Sequence, residues 1–325
     1  MPLFGKRPPD RSEEERRAAE VDLERIRRGG IPLAAEERLR GAESSGRPFS
    51  SDLSAKEYAL ADASGLVAIA QVMGSSVVRR GWPVGSGMYG AGMYGGGLQE
   101  IDALAEPWNL SRERSFERLR HEARAAGADA VIGIEMRMQP FLGEPSQLEL
   151  AVFGTAVRET SLPVGVGSSG SASGSSRRDG VSGEPRLSTL SGQDVDKLRR
   201  IGAETLGVIG HTVVVSCGLS PMSNRAMSGW WGNQEMREVS FAVSSARARA
   251  MDEVVRQGRA IGANDMVISM LGHTIEHGEF DSPGGYTSHY FIITMNVLAT
   301  AIRLGAHDPH PAPLPDPVMS ISLGA

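Results

Sequence analysis

Histidine supplies the most chemically suggestive pattern in the chain. His273, Ile275, His277 and Glu279 alternate along one segment, so the period-2 rule sets all four on one face of a strand. A turn at Asp281-Ser282-Pro283-Gly284-Gly285, taken as symmetric, pairs Phe280 with Tyr286 and sets His277 directly across from His289. Cross-strand Cβ atoms on one face stand about 5 Å apart, which lets two imidazoles reach one divalent transition-metal ion at about 2.1 Å per bond. Glu279 or His273 is the candidate third ligand. The competing reading is a set of exposed polar residues near a hairpin tip. Register decides between them, because a slip of one residue moves His289 to the other face.

Other residues with chemical potential read more plainly. Cys217 ends the run Val213-Val214-Val215-Ser216, where a lone Cys acts as a small apolar filler. One Cys in 325 residues excludes an internal disulfide framework and a multi-thiolate zinc site. Gly85-Ser86-Gly87-Met88-Tyr89-Gly90 and Gly90-Ala91-Gly92-Met93-Tyr94-Gly95 both fit GxGxxG. A dinucleotide site also needs an acidic residue about 20 positions on, at the end of the next parallel strand. Here the next strand begins only near Ala130, beyond a long helix. The loop therefore reads as a contact surface: Met88, Tyr89, Met93 and Tyr94, with Trp230 and Trp231 in the second half, are adaptable partner-contact residues. Arg112, Arg114, Arg118, Arg120 and Arg124 are interleaved with Glu113, Glu117 and Glu122, which predicts ion pairs within one helix. With no GKS/T, HExxH or isolated carboxylate pair, the chain reads as non-enzymatic.

The elements that must position these residues come in two similar sets. Leu53-Ser54-Ala55-Lys56-Glu57 and Leu190-Ser191-Gly192-Gln193-Asp194 each start a short helix with a capping Ser and an acid three residues on. Strands follow, with Val72-Met73-Gly74 aligned on Val208-Ile209-Gly210 and each Gly expected at a bend or bulge. Two long helices come next, Phe116, Leu119, Ala123 and Ala126 matching Met251, Val254, Gln257 and Ile261. Gly127 and Gly262 stand where a helix needs a left-handed residue past its end. Two-strand hairpins close each half, 130–158 with a turn at 143–146 and 265–303 with a turn at 281–285. The predicted class is α+β: two tandem repeats, each helix-strand-helix-strand-strand, an antiparallel sheet packed by a long helix.

The strings Gly127-Ala128-Asp129-Ala130, Val131-Ile132-Gly133 and Gly154-Thr155-Ala156-Val157 resemble those of the YbjQ-like family, labelled "putative heavy-metal-binding". The second half keeps the frame in Gly262-Ala263-Asn264-Asp265, Met266-Val267-Ile268 and Ala299-Thr300-Ala301-Ile302, so the resemblance covers roughly 65–160 and 202–304. It implies a compact, dodecin-like/YbjQ-like α+β domain that assembles into homo-oligomeric rings, pentamers in relatives. Three roles follow: an oligomerising scaffold, a metal-binding or metal-sensing protein, or a small-molecule site at a protomer interface.

Composition bounds the remainder. A net charge of -5 disfavours a nucleic-acid or anionic-lipid coat, and no stretch reaches the roughly 18 apolar residues of a membrane span. A cytoplasmic setting is the expectation. Charged helices occupy 1–48, the first domain 49–160, a Gly/Ser-rich linker 161–186, the second domain 187–305 and a Pro-rich tail 306–325. The N-terminal helices or the tail, whose apolar end is Val318 to Leu323, are the segments expected to bind another protein.

Overall fold

A computed structural model describes residues 13–42, 53–79, 97–141, 144–160, 183–227, 235–281 and 287–305. The contact-loop residues Met88, Tyr89, Met93, Tyr94, Trp230 and Trp231, most of the linker and the tail lie outside them. Two short helices, α1 (Glu13–Arg27) and α2 (Leu33–Ala42), lead into α3 (Ala55–Ala63), β1 (Leu66–Arg79), β2 (Leu98–Glu100), α4 (Asp102–Ala125), β3 (Ala130–Phe141) and β4 (Glu144–Glu159). Then come β5 (Arg186–Leu187), α5 (Gly192–Arg200), β6 (Ala203–Gly218), α6 (Pro221–Met227), α7 (Arg237–Ala260), β7 (Asp265–Asp281) and β8 (Thr287–Leu304).

Local chemistry starts and stops these elements as the sequence suggests. Ser54 N donates to Glu57 Oε2 at 2.9 Å while Glu57 N donates to Ser54 Oγ at 3.3 Å, a reciprocal capping box on α3. Ser191 Oγ accepts from Asp194 N at 3.3 Å on α5. Gly127 (φ 67°) and Gly262 (φ 82°) end the two long helices. At both, the residue after the glycine bonds back, Ala128 N to Ala123 O and Ala263 N to Gly258 O, each 3.0 Å.

The architecture is two sheet-plus-helix units. The first sheet has the order β1-β4-β3-β5 and the second β2-β6-β8-β7. The first is mixed rather than antiparallel, because β5 pairs parallel with β3. The two short strands cross over: β2 comes from the first half yet pairs with β6, and β5 comes from where the linker meets the second half yet pairs with β3. That exchange ties the halves together.

Helix α4 lies between the sheets. Phe116, Leu119 and Ala123 pack with Val72, Val131, Leu150 and Val152 of the first sheet. Ile101, Leu104 and Ala105 pack with Val214 and Ile292 of the second. Helix α7 covers the opposite face of the second sheet, with Ala242, Ala246, Ala250 and Val254 against Val213, Val215, Ile293 and Met295. The layers therefore run α7, second sheet, α4, first sheet. Burial by this stacking explains why β8 is buried on both faces from Phe291 to Ile302. Helices α1 and α2 rest on the body through Ile31 and Leu39, while Val21, Leu23 and Leu33 stay exposed.

Three sequence alignments shift. The bulges fall at Ile69 of β1 and Leu206 of β6, not at the glycines. Matching the bulges places His211, not Gly210, at the position of Gly74. Gly74 instead permits close approach, since a Cβ there would run into Ser115 O and come within 2.7 Å of Leu119 N. Measured from Gly127 and Gly262, Ala123 corresponds to Gly258 and Glu122 to Gln257. The geometry agrees: Glu122 Oε2 accepts from Met73 N at 2.8 Å and Gln257 Oε1 from Gly210 N at 3.2 Å. The arginines of α4 also depart from expectation, because none pairs with Glu113, Glu117 or Glu122 of its own helix among the described residues. Arg118 reaches Ser75 O, Arg124 reaches Glu184, and Arg112 turns into the sheet interface.

Candidate metal centre

The β7–β8 hairpin brings together three of the four proposed ligands. Its register pairs Glu279 with His289 and His277 with Phe291, so His277 is diagonal to His289 instead of opposite it. The pairing differs by two residues from a symmetric turn. Because side chains alternate with period 2, an even displacement keeps all three groups on one face. His273 stands opposite Met295, farther along β7, and lies outside the cluster.

His277 Nε2 lies 3.0 Å from His289 Nδ1, which in turn lies 3.4 Å from Glu279 Oε1; the third separation, His277 Nε2 to Glu279 Oε1, is 4.0 Å. A tetrahedral ion with bonds of about 2.1 Å holds neighbouring ligand atoms about 3.4 Å apart. The donor set thus fits a borderline-soft divalent ion, with two imidazoles, one carboxylate and a fourth position left for water or another ligand. Such an ion supplies positive charge and Lewis acidity when bound. Without one, a neutral imidazole pair at 3.0 Å shares a single hydrogen bond.

The surroundings hold the ligands in place. The His277 ring stacks on His289 and tilts against Phe291, with both centroid separations 5.1 Å. Phe291 is buried in the core under α7, which anchors the base of the site. Asn224 of α6 clamps the start of β8, donating from Nδ2 to Thr287 O at 2.8 Å and accepting from His289 N at 3.1 Å. Helix α6 is itself tied down by Ser220 and Ser223, whose hydroxyls donate to Glu238 at 2.7 and 2.6 Å. Those bonds, the Ser223 one foremost, lower the Glu238 pKa. The sequence carried no signal for Asn224, because its role depends on where α6 lies. His289 is largely shielded, whereas His277 and Glu279 face solvent.

Cys217 and His211 take no part. Cys217 is buried, its Sγ lies 3.4 Å from Glu238 O, and burial raises its pKa to about 11. That is the chemistry of a filler, not a nucleophile. His211 lies at the junction of α4 and β6, where burial and then the nearby Arg112 lower its pKa.

Comparison with known proteins places these features. Residues 55–160 match the YbjQ family, described as "Putative heavy-metal-binding". The encapsulin nanocompartment protein Rv1762c of Mycobacterium tuberculosis (strain ATCC 25618 / H37Rv) is 32% identical over 234 residues, 72% of this chain and 80% of that protein. The chain belongs to that protein's family. The YbjQ match covers α3 to β4 and so the first unit, while the His277, Glu279 and His289 cluster lies in the second. Among the described residues no helix is long and apolar enough to cross a membrane.

Proposed function

We propose that this protein is a non-enzymatic assembly component built from two YbjQ-like copies, which joins further copies of itself head to tail in a closed ring. One observation carries the reading. The second sheet is covered on its far face by α4, yet among the described residues the equivalent face of the first sheet is covered only at one end, where α3 and α5 pack on Leu66, Ile132 and Val157, and the outer side of α7 is uncovered. Met73 and Val77 are 42% and 48% exposed on that sheet face, and Phe241 is 66% exposed on α7. Docking α7 of one chain on the first sheet of the next repeats between chains the contact that α4 makes within one. Alternation of two units around one ring requires an even number of units, so two or three chains, four or six units, give the sizes nearest to the five-unit rings of relatives. Native mass spectrometry tests it: a mass of two or three times 34.6 kDa is expected, and a strict monomer at micromolar concentration contradicts it.

The relative's name points to the setting. The Pro-rich tail ending in Val318 to Leu323 is a spacer followed by a short apolar segment, suited to docking on a shell protein of an encapsulin compartment. Co-expression with such a shell should retain the full chain and lose a chain truncated after Gly305. The His277, Glu279 and His289 cluster supports a second property, binding of one divalent metal ion per chain.

A further inference from the structure

Where α4 crosses the second sheet, the structure buries a cation without a counter-ion. Arg112 is 6% exposed, and no carboxylate pairs with it among the described residues. Its guanidinium donates to Thr212 Oγ1 at 2.9 Å and to Asn109 Oδ1, both neutral acceptors. Thr212 Oγ1 in turn donates to Asn296 Oδ1 at 2.7 Å, so this network offers no negative charge. Burial alone drags the Arg112 pKa down to about 10, which reports how little compensates the charge. Two of the five N–H groups of a guanidinium are used here, and the planar fork of the others suits a carboxylate or phosphate oxygen pair.

The same arginine lines a cavity of about 400 Å³ between α4 and β6. Its walls are apolar at Phe116, Ile209 and Leu298, with Gln257 and His211 adding polar groups. The exposed Glu113 and Glu117 belong to its lining too, and Arg120 offsets one of them. A buried cation beside an apolar patch, in a volume typical of small-molecule sites, is the arrangement that selects an amphipathic anion. We infer that this cavity binds a small organic anion, its carboxylate or phosphate on Arg112 and its apolar body against Phe116 and Leu298. The occupant would replace the counter-ion that the fold omits. This inference is independent of the metal cluster and of assembly.

Benzoate and inorganic phosphate are the probes, each titrated into the full chain at constant ionic strength and followed by calorimetry. Benzoate should saturate one site per chain, with phosphate weaker for want of an apolar body. Arg112→Gln should weaken benzoate at least tenfold. Val208→Phe, which fills the cavity while leaving Arg112 in place, should abolish binding and serves should Arg112→Gln fail to fold. Failure of benzoate to saturate the wild-type chain, or binding that survives both substitutions, overturns the proposal.

Discussion

Arg112 of α4 and Arg247 of α7 occupy the same position relative to the glycine that ends each helix, yet Arg112 is buried and Arg247 is exposed. The difference is a sheet: α4 has the second sheet laid over it, and α7 has no cover among the described residues. In the proposed ring Arg247 meets the first sheet of a neighbouring chain near Ser75, the counterpart of Thr212 when β1 and β6 are matched at their bulges. Arg247→Glu should therefore raise the concentration for half-assembly by about tenfold, equivalent to about 1.4 kcal/mol. Sedimentation velocity over a dilution series reads this directly.

Gly74 sets how closely β1 approaches α4. Adding one methyl group meets the backbone of Ser115 and Leu119, which cannot move away as a flexible side chain would. Gly74→Ala should cost about 3 kcal/mol. Gly272, where an added Cβ meets nothing within 4 Å, is the control, and Gly272→Ala should change stability by less than about 1 kcal/mol. Urea unfolding of both variants separates the two outcomes.

Glu122 and Gln257 perform the same bond in the two units, but only one is ionisable. Burial raises the Glu122 pKa from the ordinary 4.5, opposed by the Met73 N–H and by Arg38. The native state then holds this proton more tightly than the unfolded chain does, so the contribution of Glu122 to stability falls as pH rises from 4.5 through the native pKa. Glu122→Gln keeps the acceptor for Met73 and removes that penalty. It should stabilise the chain by about 0.5–1 kcal/mol at neutral pH and flatten this part of the pH profile. Thermal unfolding followed upward from pH 4 checks the sign.

Metal binding separates the histidines. His289→Ala and Glu279→Gln should each lower zinc affinity by at least about tenfold, the scale of losing a ligand or its orientation. His273→Ala should leave it unchanged, because that ring stands opposite Met295. Competition with a chromophoric chelator measures all three.

Much of this was legible in the residues, for identifiable reasons. Local signals act over a few positions, so the capping boxes at Ser54 and Ser191 and the left-handed glycines at 127 and 262 were readable directly. Strand parity placed His277, Glu279 and His289 on one face. Register was not readable, because the turn is not symmetric about the residues assumed, and the true partner of His289 is Glu279. Nor were the exchanged strands β2 and β5, which are too short to carry a periodic pattern and are held by tertiary pairing alone. The fate of Arg112 escaped for the same reason: its intrahelical acids are adjacent in sequence, but the second sheet covers it first.

A mixing experiment tests the head-to-tail assembly most directly. Phe241→Asp spoils the α7 side of the interface and Val77→Asp the sheet side, so each variant alone should remain monomeric. Mixed in equal amounts they retain one intact interface, and native mass spectrometry should show a heterodimer of about 69 kDa, twice the 34.6 kDa chain, and nothing larger. Undiminished assembly of either variant alone, or a mixture that stays monomeric when the wild-type chain assembles, would contradict the account.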